Sequence, residues 1–147
     1  MKKRLYSILL GFSLLFIWAC GKSDINGDLD GMWHLRTVED LTEDTIFSVK
    51  EQCIYYSIQL NLITLKRLYG KDSPVIYDPY IGRFIHKGDS LTLHGFRVFQ
   101  NESIPATKEN LFSFYLDGMT SNYAIEELNS NRMVLSSDKR ILTFKKF

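Results

Sequence analysis

Ile54-Tyr55-Tyr56-Ser57-Ile58-Gln59-Leu60-Asn61-Leu62 alternates without a break. Ile54, Tyr56, Ile58, Leu60 and Leu62 fall on one face; Tyr55, Ser57, Gln59 and Asn61 fall on the other. Successive side chains of a strand point to opposite faces, so a period of two over a run rich in β-branched and aromatic residues predicts a half-buried strand. The alternation fails at residues 63–65, which predicts a bend or bulge there. A helix over residues 60–69 is compatible with the same apolar content.

Outward from this stretch the patterns remain β. Gly31-Met32-Trp33-His34-Leu35-Arg36-Thr37-Val38 sets Trp33 and Leu35 against His34 and Arg36. Residues 45–49 read as one short strand in a polar connection. Residues 80–86 and 90–94 flank Lys87-Gly88-Asp89, a tight-hairpin signal. A turn at Gly88-Asp89 pairs Phe84 with Leu93 and His86 with Leu91. Residues 70–74 and Asp78-Pro79 read as turns, and residues 96–107 as an irregular connection. Residues 108–116 predict a short helix with Leu111, Tyr115 and Phe112 inward and Gly118 as its cap. Residues 123–128, 132–136 and 141–145 close the chain as three strands. Many short antiparallel strands with regularly spaced turns indicate an all-β fold, an antiparallel up-and-down barrel of about eight strands.

The N-terminus carries a different signal. Lys2, Lys3 and Arg4 precede an apolar run over residues 5–19, the layout of a secretory signal. The run is short of the roughly 20 residues that a bilayer span needs. Ile17-Trp18-Ala19-Cys20 resembles the lipobox of bacterial lipoproteins, with Trp18 bulkier than is usual at its position. The resemblance implies cleavage before Cys20 and a diacylglycerol on its sulfur; an uncleaved anchor and ordinary secretion are the alternatives. The chain then divides into a lipoprotein signal peptide (1–19), a lipid-anchored tether (20–30) and a barrel domain (31–147). Gly21 after the cysteine, with a single acid in Gly21-Lys22-Ser23-Asp24, favours an outer-membrane anchor facing the periplasm over the cell surface.

Cleavage leaves 128 of the 147 residues, enough for one core. It also removes three of the 18 basic residues, leaving 15 against 17 acidic ones, a net of −2. Near-neutrality without a basic cluster argues against nucleic acid. Membrane attachment would then rest on the lipid rather than on charge. With Cys20 consumed, Cys53 is left unpaired, a packed small hydrophobe or a reactive or intermolecular thiol.

Chemistry-bearing clusters are sparse. The run Asp24-Ile25-Asn26-Gly27-Asp28-Leu29-Asp30-Gly31 begins like a calcium loop, yet neither register puts both glycine and a terminal glutamate in place. A solvated acidic turn is the better reading, and no metal is expected. His34, His86 and His94 lack metal-ligand spacing. Ser90, Asp89 and His86 supply triad residue types without a nucleophile elbow. Glu126 and Glu127 are adjacent on a strand and point apart. No cofactor and no catalysis are expected. Aromatic residues make up 14% of the chain. Tyr55, Tyr56, Tyr69, Tyr77, Tyr80, Tyr115 and Tyr123 are candidates to line a cup, or ordinary core and surface residues.

Gly31-Met32-Trp33 and the ending Ile141-Leu142-Thr143-Phe144-Lys145-Lys146 together resemble a lipocalin-like small lipoprotein of the kind abundant in the Bacteroidota. Lipocalins open with Gly-x-Trp and close with a basic residue packed over that tryptophan. Lys146 shares the parity of Leu142 and Phe144 and is the candidate to stack on Trp33, with Arg140 second. Lysine stands where arginine is usual, which implies weaker stacking. The resemblance implies a cup that often holds a small apolar or amphipathic ligand, lined by Tyr56, Ile58, Leu60, Phe84 and Leu93. The alternative is a structural or protein-interaction module with a filled core that works through its outer surface.

Overall fold

A computed structural model describes residues 25–68 and 76–147, the side chains of residues 76–78 excepted. The signal peptide, Cys20, Asp24, Tyr69 and the expected turn at residues 70–74 lie outside the described residues. So does the side chain of Tyr77.

The strands are β1 (Gly31–Asp40), β2 (Thr45–Ser48), β3 (Ile54–Gln59), β4 (Leu62–Leu68), β5 (Ile76–Lys87), β6 (Ser90–Val98), β7 (Asn101–Pro105), β8 (Thr120–Leu128), β9 (Arg132–Ser136) and β10 (Arg140–Lys146). Among the described residues one α-helix, α1 (Lys108–Phe112), lies between β7 and β8. Eight of the strands run in the order β1-β3-β4-β5-β6-β8-β9-β10, and β10 pairs back onto β1. Every pairing is antiparallel, so the sheet closes into a barrel and leaves no long edge to aggregate. β2 pairs with the far half of β1, and β7 is a short ribbon on β6.

The β5–β6 hairpin has Phe84 opposite Leu93 and His86 opposite Leu91 around Gly88-Asp89. Further along, Ile81 pairs with Arg97 and Arg83 with His94, so Gly95-Phe96 oppose the single residue Gly82. This is a bulge with glycine left-handed, φ 67° at Gly95. It turns the buried Phe96 ring onto Gly82, where a Cβ would lie 2.5 Å from the ring.

Several expectations change. β3 and β4 are separate strands joined by a two-residue turn, with Gln59 opposite Leu62 and Ile58 opposite Ile63. Leu60 therefore sits in the turn, at φ 57° and 54% exposed, not on the inner face. Asp78-Pro79 is not a turn. It lies within β5 opposite Lys66, at a register shift where proline's missing N–H is tolerated. β6 runs on to Val98, and β7 occupies part of the expected irregular connection. The last residues of the expected tether, Asn26 to Asp30, lie against the barrel: Asp30 accepts from Asn26, and Asn26 Nδ2 donates to the Leu60 carbonyl at 2.7 Å.

One end of the barrel is sealed by the strands' own ends. A 3-10 turn, Gly27–Leu29, drives Leu29 into the core, and Trp33 Nε1 donates to the Leu29 carbonyl at 2.8 Å. Lys146 Nζ lies 4.8 Å from the Trp33 ring centre and donates to the Asp28 carbonyl at 2.8 Å. Gly31, at φ 133°, is the floor of this contact. The positive φ itself favours glycine, and a Cβ there would sit 2.6 Å from Lys146 Cε and push the lysine end off its seat.

Candidate functional site

The interior of the opposite end is built from Leu65 on β4, Tyr80 on β5, Tyr123 on β8 and Arg140 on β10, and Tyr56 on β3, the cross-strand partner of Trp33, reaches into it with its hydroxyl. The four apolar or aromatic residues are buried. This end is closed by residues 106–117, a segment that enters from β7 and leaves into β8. Thr107 caps α1: its hydroxyl accepts from Asn110 N–H, and the Asn110 side chain accepts from Thr107 N–H. That reciprocal box holds a helix too short to persist alone. The chain then reverses through Tyr115, left-handed at φ 65°, and Leu116 N–H returns to the Leu111 carbonyl. The reversal drops Leu111, Phe114 and Leu116 into the barrel, each 3% exposed or less.

Three of these side chains bury about 1.5–3 kcal/mol each of apolar transfer free energy. Polar contacts pin the same segment from the wall. Tyr56 hydroxyl donates to the Phe114 carbonyl at 2.6 Å, and Arg67 Nη2 donates to the Ser113 carbonyl at 2.8 Å. The Arg67 guanidinium lies 5.7 Å from the Phe114 ring centre, and Tyr80 meets that ring edge-on at 5.8 Å. Gln52 and Tyr115 hydrogen-bond at the rim.

At the segment's exit Asp117 turns inward. Its carboxylate Oδ1 lies 2.9 Å from Arg140 Nε, and the two side chains are 11% and 17% exposed. Both atoms are shielded from solvent, but the N–H does not point at the oxygen, so charges meet without a hydrogen bond. Asp117 and Gly118 N–H groups donate to Ser121 Oγ. The buried Tyr123 hydroxyl lies in the field of Asp117 and Arg140. Burial first, then the negative charge of Asp117, pushes the Tyr123 hydroxyl far up from its ordinary pKa. Burial does the same to Tyr56. Both hydroxyls stay protonated at physiological pH; that of Tyr56 donates to Phe114, and that of Tyr123 is buried without a hydrogen-bond partner.

Of the residues expected to line a cup, Tyr56, Ile58, Phe84 and Leu93 are in the core and Leu60 is outside it. Tyr56 is hydrogen-bonded to the closing segment through Phe114, and Ile58, Phe84 and Leu93 belong to the same core cluster as Leu111, Phe114 and Leu116. Tyr55 points outward, stacked on His34 at 4.5 Å, and Tyr115 sits at the rim. The expected inner stripe of α1 also changes. Phe112 is 43% exposed, Phe114 and Leu116 are inward instead, and Tyr115 rather than Gly118 takes the left-handed position. Phe114, Asp117 and Arg140 were not singled out as lining residues, whereas Tyr80 and Tyr123 were among the tyrosine candidates and are buried. Arg140 carried a signal, since it shares the inward parity of Leu142 and Phe144.

Other features do not compete. An open groove of about 610 Å³ lies outside the sealed end, between Asp28, Met32, Lys146 and Phe147, and its cation is already committed to Trp33 and Asp28. Among the described residues no three His, Cys, Asp or Glu side chains converge as a metal site would require. His34 Nε2 contacts the Lys50 carbonyl at 3.1 Å. Cys53 is half-buried, at φ 50° between a 3-10 turn and β3.

Comparison with known proteins agrees with this architecture. A crystal structure of a lipocalin-like protein from Bacteroides uniformis is 21% identical with a TM-score of 0.62, over 82% of this chain and 100% of that one. A second, of an uncharacterized protein from Bacteroides eggerthii, is 19% identical with a TM-score of 0.59, over 80% and 98%. At these identities the likeness is one of fold. No curated protein is significantly similar. The family model for the lipocalin-like domain matches residues 13–147, nearly the whole chain, and with a closed eight-stranded barrel opened by Gly31-Met32-Trp33, the protein belongs to the lipocalin-like domain family.

Proposed function

We propose that this protein is an envelope lipoprotein, anchored through a lipid on Cys20, whose barrel binds a small apolar or amphipathic molecule without catalysing its conversion. The observation that carries the reading is the difference in how the barrel's two ends are closed. One end is sealed by the strands' own termini; the other is filled by a separate segment that inserts Leu111, Phe114 and Leu116 into an aromatic interior. A barrel of about eight strands has a bore that side chains fill or that holds one small ligand. Here the filling at one end comes from a segment that is not part of the wall.

The lipid anchor gives the barrel a direction. The described chain begins at Ile25 beside the sealed end, so a lipid on Cys20 faces that end toward the membrane. The stoppered end then points away, into the periplasm for an outer-membrane anchor. On this reading the ligand arrives from the aqueous side.

The second reading is an interaction module with a filled core. It draws on the full burial of the inner residues and on exposed Ile46, Phe47, Phe112 and Met119. Native mass spectrometry of the protein purified from its own host separates the two. A co-purifying small molecule at stoichiometric level supports ligand binding; a bare protein that co-purifies with a protein partner overturns it. The same spectrum carries the diacylglycerol mass on Cys20, and its absence overturns the anchor.

A further inference from the structure

We propose that the sealed end is itself a bilayer-binding surface: Ile25, Leu60 and Phe147 enter the interfacial layer of the membrane that holds Cys20, and Arg132 and Lys145 meet its anionic headgroups. This rests on the anchored reading above and says what the protein's own surface does there. Five residues link Cys20 to Ile25, a span of at most about 18 Å, so this end stays within reach of the headgroups. Ile25 is 63% exposed, Leu60 54% and Phe147 80%. All three border one feature, the 3-10 turn Gly27–Leu29. Ile25 precedes it, the Leu60 carbonyl holds Asn26 Nδ2, and Phe147 lines the open groove with Gly27 and Asp28. Single exposed apolar residues are ordinary on a soluble surface, but these three are gathered where the anchor enters. Leu60 adds a second departure. Its φ of 57° in a two-residue hairpin turn suits glycine or asparagine, so leucine there gives up both conformational preference and burial.

The outer wall beside this turn supplies the charge. Arg132 on β9 stands opposite Lys145 on β10, and Arg36 joins them along a groove of about 320 Å³. Glu127 engages Arg132 at 3.0 Å, which still leaves the groove cationic. The same end carries Asp28 and Asp30, but both line the other groove, and the Asp30 carboxylate is occupied by Asn26. Apolar side chains at the acyl boundary with basic groups at the headgroups are the features that hold a surface flat on a membrane. A lysine or arginine contributes there only within a Debye length of an anionic surface, and the short link to Cys20 keeps these within it.

Of the two tryptophans, Trp18 leaves with the signal peptide, so Trp33 at the sealed end is the single tryptophan of the mature chain. Energy transfer from Trp33 to dansyl-labelled phosphatidylethanolamine therefore reads how close this end sits to lipid. The lipidated protein is held in nanodiscs of phosphatidylcholine, with or without phosphatidylglycerol, and transfer is high in the anionic discs. Leu60→Asn fits the left-handed turn better, so Tm holds or rises while the seated-to-free ratio falls about tenfold. Lys145→Gln lowers the ratio about fivefold in anionic discs and not in neutral ones. Raising salt from about 0.1 to 1 M shortens the Debye length from about 10 to 3 Å, which erases the Lys145 effect and spares that of Leu60. Ile46→Ser, at a comparably exposed residue on β2 beside the far half of β1, leaves transfer unchanged. Transfer that either Leu60→Asn or Lys145→Gln fails to lower, or that falls as far in Ile46→Ser, overturns the proposal and leaves the anchor standing. A Cys20 that carries no diacylglycerol mass overturns both.

Discussion

The two ends of the barrel bury apolar side chains to the same degree and by opposite means. At the sealed end, Leu29 and Trp33 are fully buried; Leu29 ends a 3-10 turn that runs straight into β1, and Trp33 on β1 donates to its carbonyl. Lys146 at the end of β10 ties the Trp33 face to Asp28 of the same turn, while Phe147 N–H pairs with Met32. At the stoppered end, Leu111 and Leu116 are equally buried, yet they belong to a five-residue helix and a turn that contribute no strand to the wall. Removing the first closure breaks strand pairing at β1 and β10. Removing the second breaks side-chain contacts and a few hydrogen bonds, and leaves the ladder whole. Equal burial therefore does not mean equal separability, and the separable end is the one that a ligand can enter.

The largest test of that difference is a pair of truncations. Trp33→Ala removes a fully buried indole, its hydrogen bond to Leu29 and the platform under Lys146, and should cost about 3–5 kcal/mol in global unfolding. Phe114→Ala removes a ring buried to a similar extent, but its cost is limited by the free energy with which residues 106–117 close. Chemical denaturation should show the larger loss for Trp33→Ala. Native-state hydrogen exchange should lose protection at residues 111–116 in Phe114→Ala and keep it in β1, β3 and β10. Equal losses with uniform exchange would mean that the segment is core and not a stopper.

A smaller effect separates the hydroxyl from the ring. Tyr56→Phe deletes the 2.6 Å hydrogen bond to the Phe114 carbonyl and leaves the acceptor buried, at a cost of about 1 kcal/mol. The same change alters the alkaline limb. Burial raises the folded-state pKa of Tyr56 above its ordinary value, so the stability it contributes is complete below about pH 10 and falls as pH rises further. Tyr56→Phe should flatten that fall. An unchanged alkaline limb would place the loss elsewhere, with Tyr123 the next group to test.

The hairpin around Gly88-Asp89 was legible to the residue, because a two-residue turn fixes register and period two fixes the faces. Leu60 was misread for a related reason. A two-residue turn reverses parity, so even positions face inward before residue 60 and odd positions, Ile63 and Leu65, after it. The turn itself is Leu60-Asn61, with no glycine to announce it, and the apparent failure of alternation at residues 63–65 was the new phase of β4. Residues 106–117 were hard to place for a different reason. Their burial depends on Tyr56, Arg67 and Arg140, which are distant in sequence, and their left-handed residue is Tyr115 where a glycine is ordinary. Trp33 and Lys146 were legible because family resemblance and strand parity pointed to the same pair.

The smallest predicted effect tests whether the two ends are independent. In Lys146→Arg a planar guanidinium replaces a compact ammonium over the Trp33 face, which favours stacking. The space is tight: the Lys146 chain crosses Gly31 where a Cβ would lie 2.6 Å from Cε, and its ammonium already serves the Asp28 carbonyl. A guanidinium can keep that hydrogen bond through one N–H while its plane lies on the indole. The expected gain is about 0.5 kcal/mol, read as a rise of a few degrees in Tm. A fall in Tm would mean that the slot over Gly31 is cut to lysine and that a longer side chain strains it. Exchange at residues 111–116 should not change in either case, because no strand terminus is shared between the 3-10 turn and the stopper. If protection there rises with Tm, the barrel transmits the closure of one end to the other, and the stopper cannot open without loosening Trp33.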